Sequence, residues 1–533
     1  MPVSLISYFH DLYNLSVMST SKRKEFFVLL LCLLIGFALR FYTFDQKSLW
    51  IDEVHTFNDS RYGVKDQLAF YKANPTYLHP PFFFILTHQF YPFTKAERDL
   101  RIIPLIFGAL SIPMIYLLAR SFSPAIAIPC TLSLTFMTYH ISLSQDGRSY
   151  SLLMFFGMVG LYFFIKHLKT SKRSYLLLVA LFFSTLFYTS YSSIPFIALS
   201  QILWFYRAEK DNQRPCFYHF LILNGLILLF CLPWIIFIAV NYTGQMTMDP
   251  FGGVPTGSFV HIISNVIHDW VPQTPLMIVS VILLILFPIF SKFRKNALAL
   301  LAVFVFPIGG LYLFCELLNV NHFISSRYFI NFLPLFFITL FLSLDVMEVR
   351  FEKLTRFLRL RLLFLILFIA SNMVILPLYY RSEKQDFRGL ANYLMGHLQE
   401  GDKIFVPTIA YIPGILHYFR IIPRGRYYLI PYEGEDSGKE IEFRKPFVYD
   451  NNTYTIYSSG TCCAQYIADG HRLWIVQGES TAKKFSETFP SVLKGYFDGS
   501  FASFRRFPSD ASMYLFLWDP TSPGERGIDI LIR

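Results

Sequence analysis

Two carboxylates and an imidazole fall within four positions in Ser48-Leu-Trp-Ile-Asp-Glu-Val-His55, where Asp52 and Glu53 are adjacent and His55 follows. The segment comes directly after the first long apolar run. Acidic groups that close to hydrocarbon are costly unless they pair or perform chemistry. A carboxylate there can take a proton from a hydroxyl or hold a metal. The same residues also suit the solvated start of a loop.

Three further segments carry chemistry. Tyr77-Leu-His-Pro-Pro81 places His79 ahead of two prolines, which impose an extended entry and lack an amide donor. Taken alone, His79 reads equally well as part of a helix start. Ser144-Gln-Asp-Gly-Arg-Ser-Tyr150 sets Asp146, Arg148 and Tyr150 immediately before an apolar run. The planar donor fork of arginine matches phosphate oxygens and keeps its charge when partly buried. An interface arginine paired with Asp146 is the plainer alternative. Ser325-Ser-Arg-Tyr-Phe329 repeats the Arg-Tyr pair with Arg327 and Tyr328, which suits a second phosphate or headgroup contact, or an anchor.

The elements that must position these groups are membrane helices. Of 533 residues, 54% are hydrophobic, 18% aromatic and only 16% charged, a balance foreign to soluble chains. Apolar segments recur at about 26–44, 80–93, 102–119, 124–141, 149–166, 175–190, 192–206, 218–240, 276–290, 297–318, 328–345 and 359–378. The net charge of +11 resides mainly in short basic tracts between them, at 166–173, 207–214, 292–295 and 350–361. Such tracts orient helices toward the cytoplasm and argue against nucleic acid as a partner. Ser21 to Glu25 precedes the first run without a cleavage signal, so that run reads as a retained span.

Counting back from these tracts predicts about 11 crossings, or about 13, with 80–93 dipping into the membrane without crossing it. Asp52, Glu53, His79, Asp146, Arg148 and Arg327 then all face the outer side. Outer loops are expected at 45–79 and 241–275, the second rich in Gly and Pro. Residues 381–533 are expected to form an extracytoplasmic α/β domain, with a helix at 386–400 and strands at 403–407, 473–477 and 514–518. Residues 1–380 then make the membrane domain. Cys32, Cys130, Cys216, Cys231 and Cys315 fall in or beside apolar segments and read as small hydrophobes. Cys462 and Cys463 are neighbours, a poor geometry for a mutual disulfide, and are assigned no role.

Carboxylates beside arginines at one interface suit a lipid-linked phosphate substrate. The carboxylates would activate an acceptor hydroxyl while the arginines stabilise charge on a phosphate leaving group. No Gly-rich loop opens a helix, so nucleotide use is not indicated.

The ordered set of Asp-Glu-Val-His at 52–55, His-Pro-Pro at 79–81, the stretch from Glu97 to Tyr150, Pro233-Trp234, Arg327-Tyr328 and Asp386-Phe-Arg-Gly389 resembles the polyprenol-dependent membrane glycosyltransferases of the GT-C fold. Among them the chain is most similar to glycosyltransferase family 39 and the bacterial protein O-mannosyltransferase-like group. The resemblance implies a mainly α polytopic bundle and an inverting enzyme. Such an enzyme moves a monosaccharide from a polyprenyl-phosphate carrier to a hydroxyl on a lipid, glycan or protein at the outer face of a bacterial inner or plasma membrane. It implies Asp52 as catalytic base, Glu53 as its helper and Arg148 as the holder of the carrier phosphate, seconded by Arg327. His55, His79, Asp146, Tyr150 and Tyr328 are candidate substrate contacts. Protein O-mannosyltransferases follow His-Pro-Pro with Leu-Gly-Lys, where this chain has Phe82-Phe83-Phe84. The acceptor therefore stays open. No cofactor is compelled, although an acidic pair beside phosphate could recruit a divalent cation. A transporter or flippase of lipid-linked saccharides is the competing expectation; such proteins place their binding residues nearer the bilayer midplane.

Overall fold

The computed structural model describes residues 20–73, 79–205, 217–241, 258–317, 324–351, 359–421, 431–433, 440–442, 447–459, 470–501, 511–522 and 527–530. Tyr77, the Gly/Pro-rich part of loop 241–275, Cys216, and Cys462 with Cys463 lie outside them.

Among the described residues, six helices are long and apolar enough to cross a membrane: Ala96–Phe122, Tyr150–Thr170, Phe217–Asn241, Arg294–Leu317, Ser326–Arg350 and Leu360–Arg381. Two bent pairs raise the number to eight, Pro124–Phe136 with Thr138–Ser144 at 60° and Phe259–Trp270 with Thr274–Phe290 at 109°. Thr20–Phe41 adds a helix of 22 residues, long enough for about 33 Å. Other expected spans are short. The 80–93 segment holds only the seven-residue helix Phe82–His88, about 10 Å long, which cannot cross about 30 Å of hydrocarbon. The 192–206 segment is split between short 3-10 turns and the seven-residue helix Ile194–Ser200.

The first bent pair positions the site. At Met137 the backbone turns extended (φ −71°, ψ 108°), which leaves the last carbonyls of Pro124–Phe136 without helical partners. Arg40, fully buried on Thr20–Phe41, supplies them. Its Nη2 donates to Leu134 O at 2.9 Å, its Nη1 to Thr135 O at 3.2 Å, and Nη2 also lies 2.8 Å from Nδ1 of His140. From the other side, Asn372 accepts the Thr138 amide at 2.8 Å, and its carbonyl accepts the Thr138 hydroxyl at 2.8 Å. The break thus has its Leu134 and Thr135 carbonyls and its Thr138 amide hydrogen-bonded by side chains, the condition for irregular backbone at membrane depth. Below it, Gln145 donates to the carbonyls of Arg40 and Tyr42 at 2.8 and 2.6 Å and accepts from Tyr379 at 2.8 Å. The turn carrying Asp146 and Arg148 is thereby held between two membrane helices.

Beyond Arg381 the chain builds a six-stranded mixed sheet from β1 (Asp402–Phe405), β4 (Phe447–Asp450), β5 (Tyr454–Ser458), β6 (Leu473–Gly478), β7 (Val492–Phe497) and β8 (Met513–Trp518). Its order is β4-β5-β1-β6-β8-β7. A separate two-stranded ribbon pairs β2 (Pro431–Glu433) with β3 (Glu440–Glu442). Central β1 runs parallel to both β5 and β6, so it is covered on both faces. Phe387–His397 and Ile412–Tyr418 pack on one face, against Ile404, Trp474 and Leu515. Glu479–Thr488 covers the other, with Ala482 against Phe405, Ile475 and Phe516. This is the small C-terminal α/β region expected from the sequence.

Candidate active site

Asp52 and Glu53 sit in the first turn of the Ile51–Ser60 helix, and their surroundings diverge completely. Glu53 is fully buried. Arg101, at the foot of Ala96–Phe122, grips it bidentately, Nε to Oε1 and Nη2 to Oε2, both at 2.6 Å. The Gly147 amide donates to Oε1 at 2.6 Å and the Trp50 amide to Oε2 at 3.3 Å. A Cβ at Gly147 would stand 3.2 Å from Oε1, so the position favours glycine for close approach. The remaining N–H groups of Arg101 bind the carbonyls of Phe44, Lys47 and Ser48, each at 3.0 Å. The oxygens of Glu53 are thus committed to an internal ion pair whose arginine also ties down the 44–48 carbonyls.

Asp52 instead stays accessible, its side chain 26% exposed. Its Oδ2 lies 3.4 Å from Arg327 Nη1, an ion pair without tight hydrogen-bond geometry. Arg148 Nη1 donates to the Asp52 carbonyl at 3.0 Å and to Thr56 Oγ1 at 3.2 Å. Burial pushes the Asp52 carboxyl up, but the guanidiniums of Arg327 and Arg148, with His55 and Lys384 beyond them, outweigh it and hold the group below the usual carboxylate range. At neutral pH Asp52 is ionised.

Arg327 opens a 3-10 turn, Ser326–Phe332, that leads into the next membrane helix. The Ser326 hydroxyl is bonded to Asp269 Oδ2 and lies 2.8 Å from the Tyr139 hydroxyl. The Arg327 guanidinium lies 5.1 Å from the Trp50 ring centroid and 5.9 Å from that of Tyr150. Arg148, Tyr150, Tyr328 and His79 line one cavity of about 510 Å³, walled otherwise by Phe83, Phe84, Phe329 and Phe332 and by the hydroxyls of Thr189, Ser190, Tyr191 and Ser192. It falls in the size range of small-molecule sites. Asp52 and Arg327 are not among its lining residues; Asp52 is linked to it through Arg148, which donates to the Asp52 carbonyl at 3.0 Å.

Asp146 does not face this cavity. Its Oδ1 accepts from Trp50 Nε1 at 2.9 Å and its Oδ2 pairs with Lys384 Nζ at 2.8 Å, with 1% of the side chain exposed. His55 lies on the Asp52 helix, half-buried. Sequence reasoning missed Arg101 and Lys384. Arg101 opens an apolar span and Lys384 follows one, and at both places a basic residue reads as an interface charge. Among the described residues, no group of three or more His, Cys, Asp or Glu side chains is placed to hold a metal ion.

Residues 78–237 match the family described as dolichyl-phosphate-mannose-protein mannosyltransferase. No curated protein matches the sequence. In fold, the chain is similar to ArnT from Cupriavidus metallidurans in the apo state, with a TM-score of 0.50 and 11% identity over 94% of this chain and 98% of that one. The same protein bound to undecaprenyl phosphate aligns with a TM-score of 0.49 and 12% identity over the same shares of both chains. The Archaeoglobus fulgidus oligosaccharyltransferase in complex with Zn and sulfate aligns with a TM-score of 0.44 and 12% identity, over 86% of this chain and 69% of that one. The chain is a multi-pass membrane protein that shares the fold of ArnT, and a segment in its N-terminal half matches the dolichyl-phosphate-mannose-protein mannosyltransferase family.

Proposed function

We propose that the chain transfers a monosaccharide, with inversion, from a polyprenyl-phosphate carrier to a hydroxyl acceptor on the extracytoplasmic face of the membrane. The observation that carries this is an ionised, accessible Asp52 that pairs with Arg327 and lies beside Arg148, which in turn lines an aromatic cavity. The family matched by residues 78–237 is described by a lipid-phosphate sugar donor, which fits that cavity. A phosphate ester leaves without needing a proton, so the chemistry requires a base for the acceptor and cations for the leaving group. Asp52 is the base. Arg148 and Arg327 receive the phosphate, while Tyr150, Tyr328 and His79 line the donor's path.

The ion pair between Asp52 and Arg327 suggests how the base is switched on. A donor phosphate competes for the Arg327 guanidinium. As Arg327 turns to the phosphate, Asp52 loses the cation that lowers its pKa and becomes a stronger base while donor is bound. Glu53 keeps the helix start in place throughout. The basic tracts between spans support an outer-face site, in what would be a bacterial inner or plasma membrane.

The test is turnover of detergent-purified protein with a panel of polyprenyl-phosphate monosaccharides and candidate acceptors, read as release of the free carrier phosphate. Wild type is expected to release carrier with one donor class, and Asp52→Asn to lose about 100-fold or more. Unaltered turnover in Asp52→Asn removes Asp52 as the base.

A further inference from the structure

Lys384 lies three residues past the last membrane helix, on the strap that leads into the C-terminal sheet. Its ammonium nevertheless reaches back into the site, 2.8 Å from Asp146 Oδ2 and 4.9 Å from the Trp50 ring centroid. The indole of Trp50 thus has two cations near it, Lys384 at 4.9 Å and Arg327 at 5.1 Å, and its Nε1 is tied to Asp146. Neighbouring bonds fix the strap in place. Gln385 Oε1 accepts the Ile51 amide at 3.1 Å, Glu383 Oε2 accepts the Ser48 amide at 3.1 Å, and the Arg388 amide donates to Ser48 Oγ at 3.2 Å. Every one of these contacts lands on the 48–51 segment that delivers Asp52.

We propose that Lys384 is a positioning residue of the site: it clamps Asp146 and the Trp50 indole, and through that ring it seats Arg327 against Asp52. The C-terminal region thereby completes a site that otherwise belongs to the membrane domain. The ammonium has only 14% of its side chain exposed and is already bonded, so it acts on the platform and does not contact donor. Lys384 pairs with Asp146 and acts on Lys47, and the charged groups that act on the Asp52 carboxylate are Arg327, Arg148, His55 and Lys384 itself. Removing one positive charge from this set and loosening Arg327 both weaken the hold on the Asp52 carboxylate, and both effects raise its pKa.

The inference rests on the glycosyl-transfer reading for its kinetic arm, so the experiment has a second arm that needs no turnover. In the first, Lys384→Met and Lys384→Arg are compared with wild type for kcat, donor KM and pH–rate profile. Lys384→Met is expected to lose about 100-fold in kcat, the scale of an ångström-sized misplacement, with donor KM within about threefold. Its acid limb moves to higher pH, and Lys384→Arg recovers most of the loss. In the second arm, the structure of donor-free Lys384→Met is determined. The Trp50–Asp146 bond is expected to open and the Arg327–Asp52 separation to grow well beyond 3.4 Å. If kcat holds while donor KM rises, Lys384 contacts donor and the positioning role is overturned. The role is equally overturned if Arg327 and Trp50 remain in place in the variant, whatever its turnover. Inactivity of wild type with every donor defeats the functional reading alone, because the structural arm still decides the clamp.

Discussion

Glu53→Gln separates the two adjacent carboxylates experimentally. The Glu53 carboxylate accepts four N–H groups, three of them at 2.6 Å, and neutralises an Arg101 guanidinium with 3% of its side chain exposed. Glutamine is nearly isosteric, but one of its two terminal atoms is a donor, which must face a donor on Arg101 or the Gly147 amide. It also leaves the buried guanidinium uncompensated. Breaking such a pair from one side costs about 3–5 kcal/mol, a large share of the roughly 5–15 kcal/mol that folded proteins have in reserve. Arg101→Met should cost a similar amount, since it strands Glu53 and three carbonyls. The two losses share one interaction, so the double variant should cost less than their sum by about 1–3 kcal/mol. The assay is denaturant or thermal unfolding of the three variants in one detergent at pH 7. Glu53→Gln within about 1 kcal/mol of wild type, together with additive losses in the double variant, would refute the anchoring role and return Glu53 to the chemistry.

Three further outcomes follow from named contacts. Arg327→Gln removes the nearest cation from Asp52, so the Asp52 pKa rises and activity, lost as pH falls through that pKa, is lost at higher pH than in wild type; a pH–rate profile measures this. A Cβ at Gly108 would meet Ser144 Oγ at 2.2 Å, whereas one at Gly310 meets nothing within 4 Å. Gly108→Ala should therefore lose about 1–3 kcal/mol in unfolding experiments, and Gly310→Ala should stay neutral or gain slightly. Burial lifts the Glu383 carboxyl from its ordinary 4.5 to about 7, so the native state holds a proton that the unfolded chain releases. Stability from this group is present below about pH 4.5 and fades as pH rises through about 7. Glu383→Gln should flatten that part of a stability-versus-pH curve.

The membrane character and the C-terminal sheet strands at 402–405, 473–478 and 513–518 were legible because each leaves a local signal: apolar length for the spans, and for the strands short apolar runs that are buried along nearly their whole length. Interrupted helices were harder. The 124–141 stretch reads as one span by hydropathy, yet it breaks at Met137, because the partners that make the break tolerable are Arg40 and Asn372, about a hundred and two hundred positions away in sequence. Lys384 was invisible for the same reason. Its role depends on Trp50 and Asp146, and nothing near position 384 announces them.

The different fates of Asp52 and Glu53 follow from helix geometry. Successive residues on a helix point about 100° apart, so two adjacent carboxylates at a helix start cannot serve the same partner equally. One direction leads to Arg101 and the interior, the other to Arg327 and a partly exposed position. A base beside two arginines is held below its usual pKa and would be weak, and it is mobile enough to lose its position unless the backbone beneath it is fixed. The buried Glu53–Arg101 pair supplies that fixity, and competition of a donor phosphate for Arg327 would supply the basicity. On this argument, substitutions at Asp52 remove turnover from a protein of near-normal stability, whereas substitutions at Glu53 lower stability first and turnover as a consequence. Unfolding and carrier-release measurements on the same purified variants distinguish the two patterns.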